Sequence, residues 1–240
     1  MKAQERLLVV LAHPDDESFI CGGTLAKIIK RGGHVTLLCA TKGEMGRRLG
    51  NSLLATRESL PQLREQELRN ACDDLGISDL RFMNIRDKTV EFKEVDFIVD
   101  YILDVIQEIQ PQVMLTFDEQ YGGHPDHCAI GRAATLAFKK AKTRYNIPLQ
   151  KLYFVLWHAI HKKITNKYDL KRIMEVDITE TLPEKIKALK SHHSQTVVFQ
   201  ELWDEIKPNL PFLGDYEYFL QAKIEEERDF FQNIDLNNAF

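Results

Sequence analysis

Leu7-Leu8-Val9-Val10-Leu11-Ala12-His13-Pro14-Asp15-Asp16-Glu17 is an apolar run that ends abruptly in ionisable side chains. Arg6 to Ala12 is almost continuously apolar, the pattern of a strand buried on both faces. One imidazole and three carboxylates follow at once. Crowding them beside a core element is costly unless a cation pairs with them. A His/Asp cluster at such a place points to a divalent metal.

Working outward, Gly22-Gly23 opens a helix through Ile29 that stops at Gly32-Gly33, and His34 to Ala40 is a second buried strand. Thr41 to Thr56 lacks periodicity and is expected to be a loop over the strand ends. Leu68, Ala71, Cys72 and Leu75 fall on one helical stripe before Gly76. A third strand spans Asp79 to Ile85, and Ile98, Ile102, Val105, Ile106 and Ile109 line one face of a long helix. Pro111 ends that helix, and Gln112 to Phe117 is a fourth strand. This alternation predicts an α/β fold with a doubly wound, mostly parallel sheet and helices on both faces. Beyond Lys142 the pattern loosens: Lys151 to Ala159 reads as a strand, Thr181 to Ser191 as a helix, and the rest as a mainly helical C-terminal tail. One domain is expected over 1–240, with a core over 1–142 and an elaboration over 143–240.

Ligands of doubly wound sheets bind beyond the carboxyl ends of the strands. A second cluster, Gly123-His124-Pro125-Asp126-His127, follows the fourth strand and so reaches the same end as the first. His13 and Asp16 are three residues apart on a loop restrained by Pro14, and His124 and His127 are three apart at a helix start. A catalytic zinc site usually takes three protein ligands and keeps one position open. His13, Asp16 and His127 are the expected ligands, for zinc or another divalent metal. Asp15 and His124 then stand beside the metal as an acid–base pair, with Asp126 orienting His124 or a ligand.

The net charge of −4 argues against a nucleic-acid partner, which would favour a basic face. Cys21, Cys39, Cys72 and Cys128 form no CxxC pair, so buried free thiols in a reducing compartment are expected. The charged segment Met1 to Arg6 and the short apolar run after it resemble neither a signal nor a membrane span, which gives a cytoplasmic expectation and no membrane partner. His34, His158 and His161 read as strand-edge polar residues. Phe212, Tyr216 and Phe219 would serve either a homo-oligomer interface or the core.

The motifs resemble those of the zinc-dependent N-deacetylase superfamily that includes LmbE-like and PIG-L-like proteins. The resemblance runs from Ala12-His13-Pro14-Asp15-Asp16-Glu17 through Thr41-Lys42-Gly43-Glu44-Met45-Gly46, Arg64-Glu65-Gln66-Glu67-Leu68, Leu75-Gly76 and His124-Pro125-Asp126-His127 to His192-His193-Ser194-Gln195. It implies a Rossmann-like core and removal of acetyl groups from N-acetylglucosamine-type sugars. Gly43 to Arg47, Gly50-Asn51, Ala55 to Leu60 and Arg86-Asp87-Lys88-Thr89 are similar to the second type of bacillithiol-biosynthesis deacetylase. That similarity implies a small amino-sugar substrate, N-acetylglucosaminyl-malate. Amidase action on bacillithiol S-conjugates, or deacetylation of another GlcNAc derivative, is the alternative. It also implies metal ligation by His13, Asp16 and His127, a base at Asp15, an oxyanion or acid role at His124, and substrate contact at Arg64.

Malate presents two carboxylates, which arginine suits, so Arg47, Arg48, Arg57, Arg86 and Lys88 are further candidates, with Glu44 in the same loop. Relatives place a tyrosine two residues before the first His of HPDH; here that position is Gly122, with Tyr121 one step earlier. A non-hydrolytic nucleotide- or phosphate-binding module is a distant alternative. The acidic loop disfavours it, because phosphate sites use backbone amides and basic side chains.

Overall fold

The computed structural model describes residues 5–47, 54–157, 170–204, 210 and 213–223. Arg48, Gly50, Asn51, His158, His161 and Phe212 lie outside them. The apolar run becomes β1 (Arg6–Leu11), paired in parallel with β2 (His34–Cys39) on one side and β4 (Val113–Thr116) on the other. Val9 is thereby flanked by Leu37 and Leu115, and Leu7 to Leu11 are buried on both faces of this central strand, which is why the run has no polar face. β3 (Asp79–Phe82) joins β2, and β5 (Lys151–Leu156) joins β4, again in parallel.

The strands are linked by helices whose ends follow from sequence. α1 (Asp16–Ile20) and α2 (Gly22–Lys30) follow β1, α3 (Leu60–Leu75) precedes β3, and α4 (Val95–Ile109) precedes β4. α3 stops at Gly76, whose φ of 81° is a left-handed cap that glycine adopts without strain. α5 (Pro125–Arg144) begins at a proline, favoured in the first turn because its missing N–H would be unpaired there anyway. Met83 and Ile85 still donate to the carbonyls of Cys39 and Ala40, so the third strand's pairing outlasts its regular geometry.

The elaboration departs from expectation. α6 (Leu182–Ser191), α7 (His193–Thr196) and α8 (Gln200–Trp203) are helical as expected, but β6 (Ile173–Asp177) and β7 (Tyr216–Gln221) extend the sheet. Both pair antiparallel, giving the order β3-β2-β1-β4-β5-β7-β6 among the described residues. Phe219 is buried in the core and Tyr216 is exposed. Cys21, Cys39 and Cys72 are buried and free as expected; Cys128 is free but only half-buried. Among the described residues no helix is long and apolar enough to cross a membrane. The chain leaves β1 toward β2 in one direction and reaches β4 in the other, so the crevice beyond β1 and β4 is the topological switch point.

Candidate active site

The loop after β1 turns back on itself. The Asp16 carboxylate accepts the His13 N–H at 2.8 Å, and the Asp15 carbonyl accepts the N–H groups of Ser18 and Phe19. Asp15 takes a φ of 102°, a left-handed conformation that costs a side chain about 1–3 kcal/mol and persists only where the surroundings enforce it. This turn aims His13 and Asp16 at one point. From the other cluster, α5 brings His127, whose ring stacks on Phe117 at the end of β4 with centroids 3.9 Å apart. His124 occupies the cap position of α5 and accepts the Asp126 N–H on Nδ1 at 3.2 Å.

Three side chains converge: His13 Nδ1 lies 3.1 Å from His127 Nε2, Asp16 Oδ2 lies 3.7 Å from the former, and Asp16 Oδ1 lies 3.2 Å from the latter. The remaining nitrogen of each ring is committed. His127 Nδ1 donates to the Gly122 carbonyl at 2.9 Å, and His13 Nε2 donates to Asp126 and Asp87 oxygens, each at 3.2 Å. Neutral rings in these tautomers point two lone pairs at each other beside a carboxylate. Only a shared proton or a metal ion relieves that arrangement, and carboxylate-oriented histidines are the usual support of a metal. The donor set therefore fits a divalent ion. His124 also falls within a three-histidine group with His13 and His127, and His13, Asp87 and Asp126 form a second donor group.

Charge around the site follows from these contacts. Burial works against the charged His13 ring, but its hydrogen bonds to Asp126 and Asp87 and the nearby Asp16 outweigh it and push its pKa up to about 10. Burial likewise opposes ionisation of Asp16, yet the His127 and His13 rings hold its carboxyl well below the usual range. For Asp15 burial prevails over the Arg64 guanidinium, and its pKa rises to about 6. Burial and the charges of His13 and His127 lower that of His124.

The other expected residues divide by what they touch. Arg64, on the buried face of α3, donates at 2.7 Å to Asp15 Oδ2, at 3.1 Å to the Gly43 carbonyl, and to the Pro14 carbonyl. Gly43 is needed there: a Cβ would come within 1.9 Å of the guanidinium, and its φ is 65°. Arg57 donates to the carbonyls of Glu44 and Gly46, so part of its fork pins the loop. Glu44 accepts the Asp87 N–H, while Arg47, Arg86 and Lys88 are exposed. Asp126 orients His13, the ligand alternative, with its side chain and touches His124 through its backbone. Tyr121 packs half-buried against the core.

Asp87 was not singled out in the sequence, although its place just after the third strand was a signal. Glu17, Glu67 and His192, all buried near Asp15 or Arg64, stand in the quoted motifs but were given no role; Arg64 and Glu67 interrupt an apolar helical stripe, which is the detectable trace. A cleft of about 620 Å3 runs along Glu91, Lys93, Glu119, Cys128 and Arg132, and its lining contains none of His13, Asp16 and His127. Chemistry rather than volume marks the site.

Residues 8–138 match the family model described as PIG-L: GlcNAc-PI de-N-acetylase. A Bacillus cereus protein named "Probable N-acetyl-alpha-D-glucosaminyl L-malate deacetylase 2" is 38% identical over 198 residues, covering 82% of this chain and 87% of that one. Among solved structures, the N,N'-diacetylchitobiose deacetylase of Pyrococcus horikoshii aligns with a TM-score of 0.70 and 23% identity over 92% of this chain and 85% of that one. A 4-carboxy-2-hydroxymuconate hydratase from Pseudomonas putida aligns at 0.68 with 19% identity, over 93% of this chain and 99% of that one. One fold thus carries more than one reaction, and the residues at the site must decide between them.

Proposed function

The chain belongs to the PIG-L, GlcNAc-PI de-N-acetylase family, and on that premise we propose that it hydrolyses the acetamide of N-acetylglucosaminyl-malate, releasing glucosaminyl-malate and acetate, in bacillithiol biosynthesis. The observation that carries this reading is the facing pair of imidazole nitrogens, 3.1 Å apart beside Asp16, with Asp15 next to them. His13, Asp16 and His127 would hold a divalent ion, and zinc suits two imidazoles and a carboxylate. Such an ion would acidify water and polarise the acetamide carbonyl.

The chain's own groups supply the proton traffic. Asp15, ionised at neutral pH, accepts a proton from the attacking water and returns it to the amine nitrogen as the C–N bond breaks. Arg64 keeps that carboxylate turned to one side by its 2.7 Å contact. His124 accepts the Asp126 N–H on Nδ1, so its neutral ring carries hydrogen on Nε2, and its lowered pKa favours that neutral form. This N–H is a donor for the oxygen that gains charge at the acetamide carbon, a role a neutral imidazole fills without spending a proton. The exposed Arg47, Arg86 and Lys88 are candidates for the malate carboxylates. The substrate is a small cytoplasmic amino sugar.

The test is acetate release from a panel of N-acetylglucosaminides that includes the malate conjugate, with metal content measured on the same sample. His13→Ala and His127→Ala are expected to lose both metal and turnover. Full activity of metal-stripped protein overturns the reading. Faster release of amine from bacillithiol S-conjugates than of acetate from the malate conjugate reassigns the substrate to an amidase.

A further inference from the structure

The deacetylation chemistry uses Asp15 and Asp16 but leaves Glu17, the third carboxylate of the opening cluster, without a part. Glu17 is buried, and its Oε2 accepts the Asp15 backbone N–H at 3.1 Å. Its Oε1 accepts from Ser18 Oγ at 2.5 Å and from His192 Nε2 at 2.7 Å. His192 is fully buried, and among the described residues its Nδ1 has no hydrogen-bond partner, so the contact to Glu17 is the ring's one polar tie there. The strained turn at Asp15 is thus fastened at its nitrogen by a carboxylate that is itself fastened by a residue 175 positions away in sequence.

The residues after His192 bind two further neighbours of Arg64, the partner of Asp15. Ser194 places its N–H and hydroxyl on Glu67 at 2.6 and 2.7 Å, and Glu67 lies one turn along α3 from Arg64. Gln195 clasps the N–H and carbonyl of Arg47, each at 3.0 Å, beside Gly46, where a Cβ would stand 2.8 Å from the Arg64 guanidinium. Among the described residues, no hydrogen bond or ion pair joins this segment to His13, Asp16 or His127. The segment contacts the supports of the base and leaves the converging donors alone.

We propose that His192 is a positioning residue for the hydrolysis, holding Asp15 in its left-handed turn through Glu17 so that the carboxylate faces the reacting atoms. This rests on Asp15 being the base. A misplacement of about 1 Å at a reacting group can cost roughly 100-fold in rate. His192→Ala is therefore expected to lower kcat by about 10- to 100-fold, with metal stoichiometry unchanged and KM within about threefold. His192→Gln, whose side-chain amide can donate to Glu17 Oε1, is expected to recover most of the loss. In an Asp15→Asn background, His192→Ala is expected to remove nothing further, because the two act as a unit.

A purely structural role would lower residual activity in both backgrounds, and that result overturns the proposal. So does unchanged kcat in folded His192→Ala, or a loss of kcat that follows loss of metal. If His192→Ala does not fold, Glu17→Gln replaces it in the same cycle with the same expectations. If Asp15→Asn itself keeps full kcat, the assignment of the base fails and the proposal falls with it. If Asp15→Asn is inactive and His192→Ala is not, only the positioning role is overturned.

Discussion

Asp15 is the residue on which the competing forces meet. Burial raises the pKa of its carboxyl and the Arg64 guanidinium opposes that, leaving it at about 6. A raised carboxyl is a poor ion pair but a useful base, because it holds a proton more firmly once it has taken one. Asp15→Asn is expected to retain metal and lose about 10²- to 10⁴-fold in kcat, the usual contribution of a positioned base, as read by acetate release with metal analysis. The pH sign follows from the same group. Only the ionised carboxylate can accept a proton, so kcat/KM falls as pH drops through the Asp15 pKa. A bound dication draws that pKa lower, which puts the acid limb at or below pH 6. Arg64→Gln removes the opposing cation, and its acid limb is expected at higher pH than that of the unaltered protein. An unmoved limb would assign the titration to another group. At this scale the sequence was most legible where contacts are local: His13 with Asp16, and His124 with His127, are three residues apart. Asp87 and His192 act through partners 74 and 175 positions away, and spacing carries no trace of such pairings.

At the scale of elements, the position of His127 depends on how closely α5 approaches β4. Gly131 lies four residues along α5, and a Cβ there would stand 2.3 Å from the Phe117 carbonyl oxygen, inside any tolerable contact. The same Phe117 supplies the ring on which His127 stacks. Gly131→Ala must push the helix away from the strand end, an overpacking that typically costs about 1–3 kcal/mol. Its Tm is expected to fall by roughly 2–4 °C per kcal/mol, and its metal affinity to weaken because one ligand moves with the helix. Unchanged metal affinity would show that α5 can shift without carrying His127 away from its partners. The elements themselves were largely readable. The run before His13, the stripe of α4 and the Gly76 stop are each local patterns that tertiary packing reinforces. α3 illustrates the limit. Arg64 and Glu67 lie on its buried face among Leu60, Leu68, Ala71 and Leu75, where amphipathic periodicity expects apolar side chains. Their presence signals function or a buried polar network, but the partners that distinguish the two come from other elements.

Across the whole molecule, β6 and β7 turn a parallel sheet into a mixed one and fasten the elaboration to the first helices. They escaped sequence reading for a physical reason. Tyr216-Glu217-Tyr218-Phe219-Leu220-Gln221 sets a buried glutamate among its apolar residues, and an antiparallel strand of six residues declares itself only through its neighbours. Glu217 explains why the charge is kept. Its two oxygens accept the N–H groups of Gly23 and Thr24 at 3.0 and 2.8 Å, satisfying the start of α2, and Lys185 of α6 pairs with it at 2.7 Å. Both side chains are nearly inaccessible, at 3% and 2% exposure. Breaking such a pair by removing one partner leaves a buried, uncompensated charge and typically costs about 3–5 kcal/mol. Glu217→Ala is expected to lose that much in denaturant unfolding, since it strands both the lysine and two helix N–H groups. The double variant Glu217→Gln with Lys185→Met keeps an acceptor for α2 and removes the charge, so it should be more stable than Glu217→Ala. Turnover per folded molecule should hardly change in either, because this pair touches neither Asp15 nor the converging donors. If Glu217→Ala loses less than about 1 kcal/mol, a surface-like value, then water or a neighbouring group solvates Lys185, and strand pairing with apolar packing suffices to hold β7 in place.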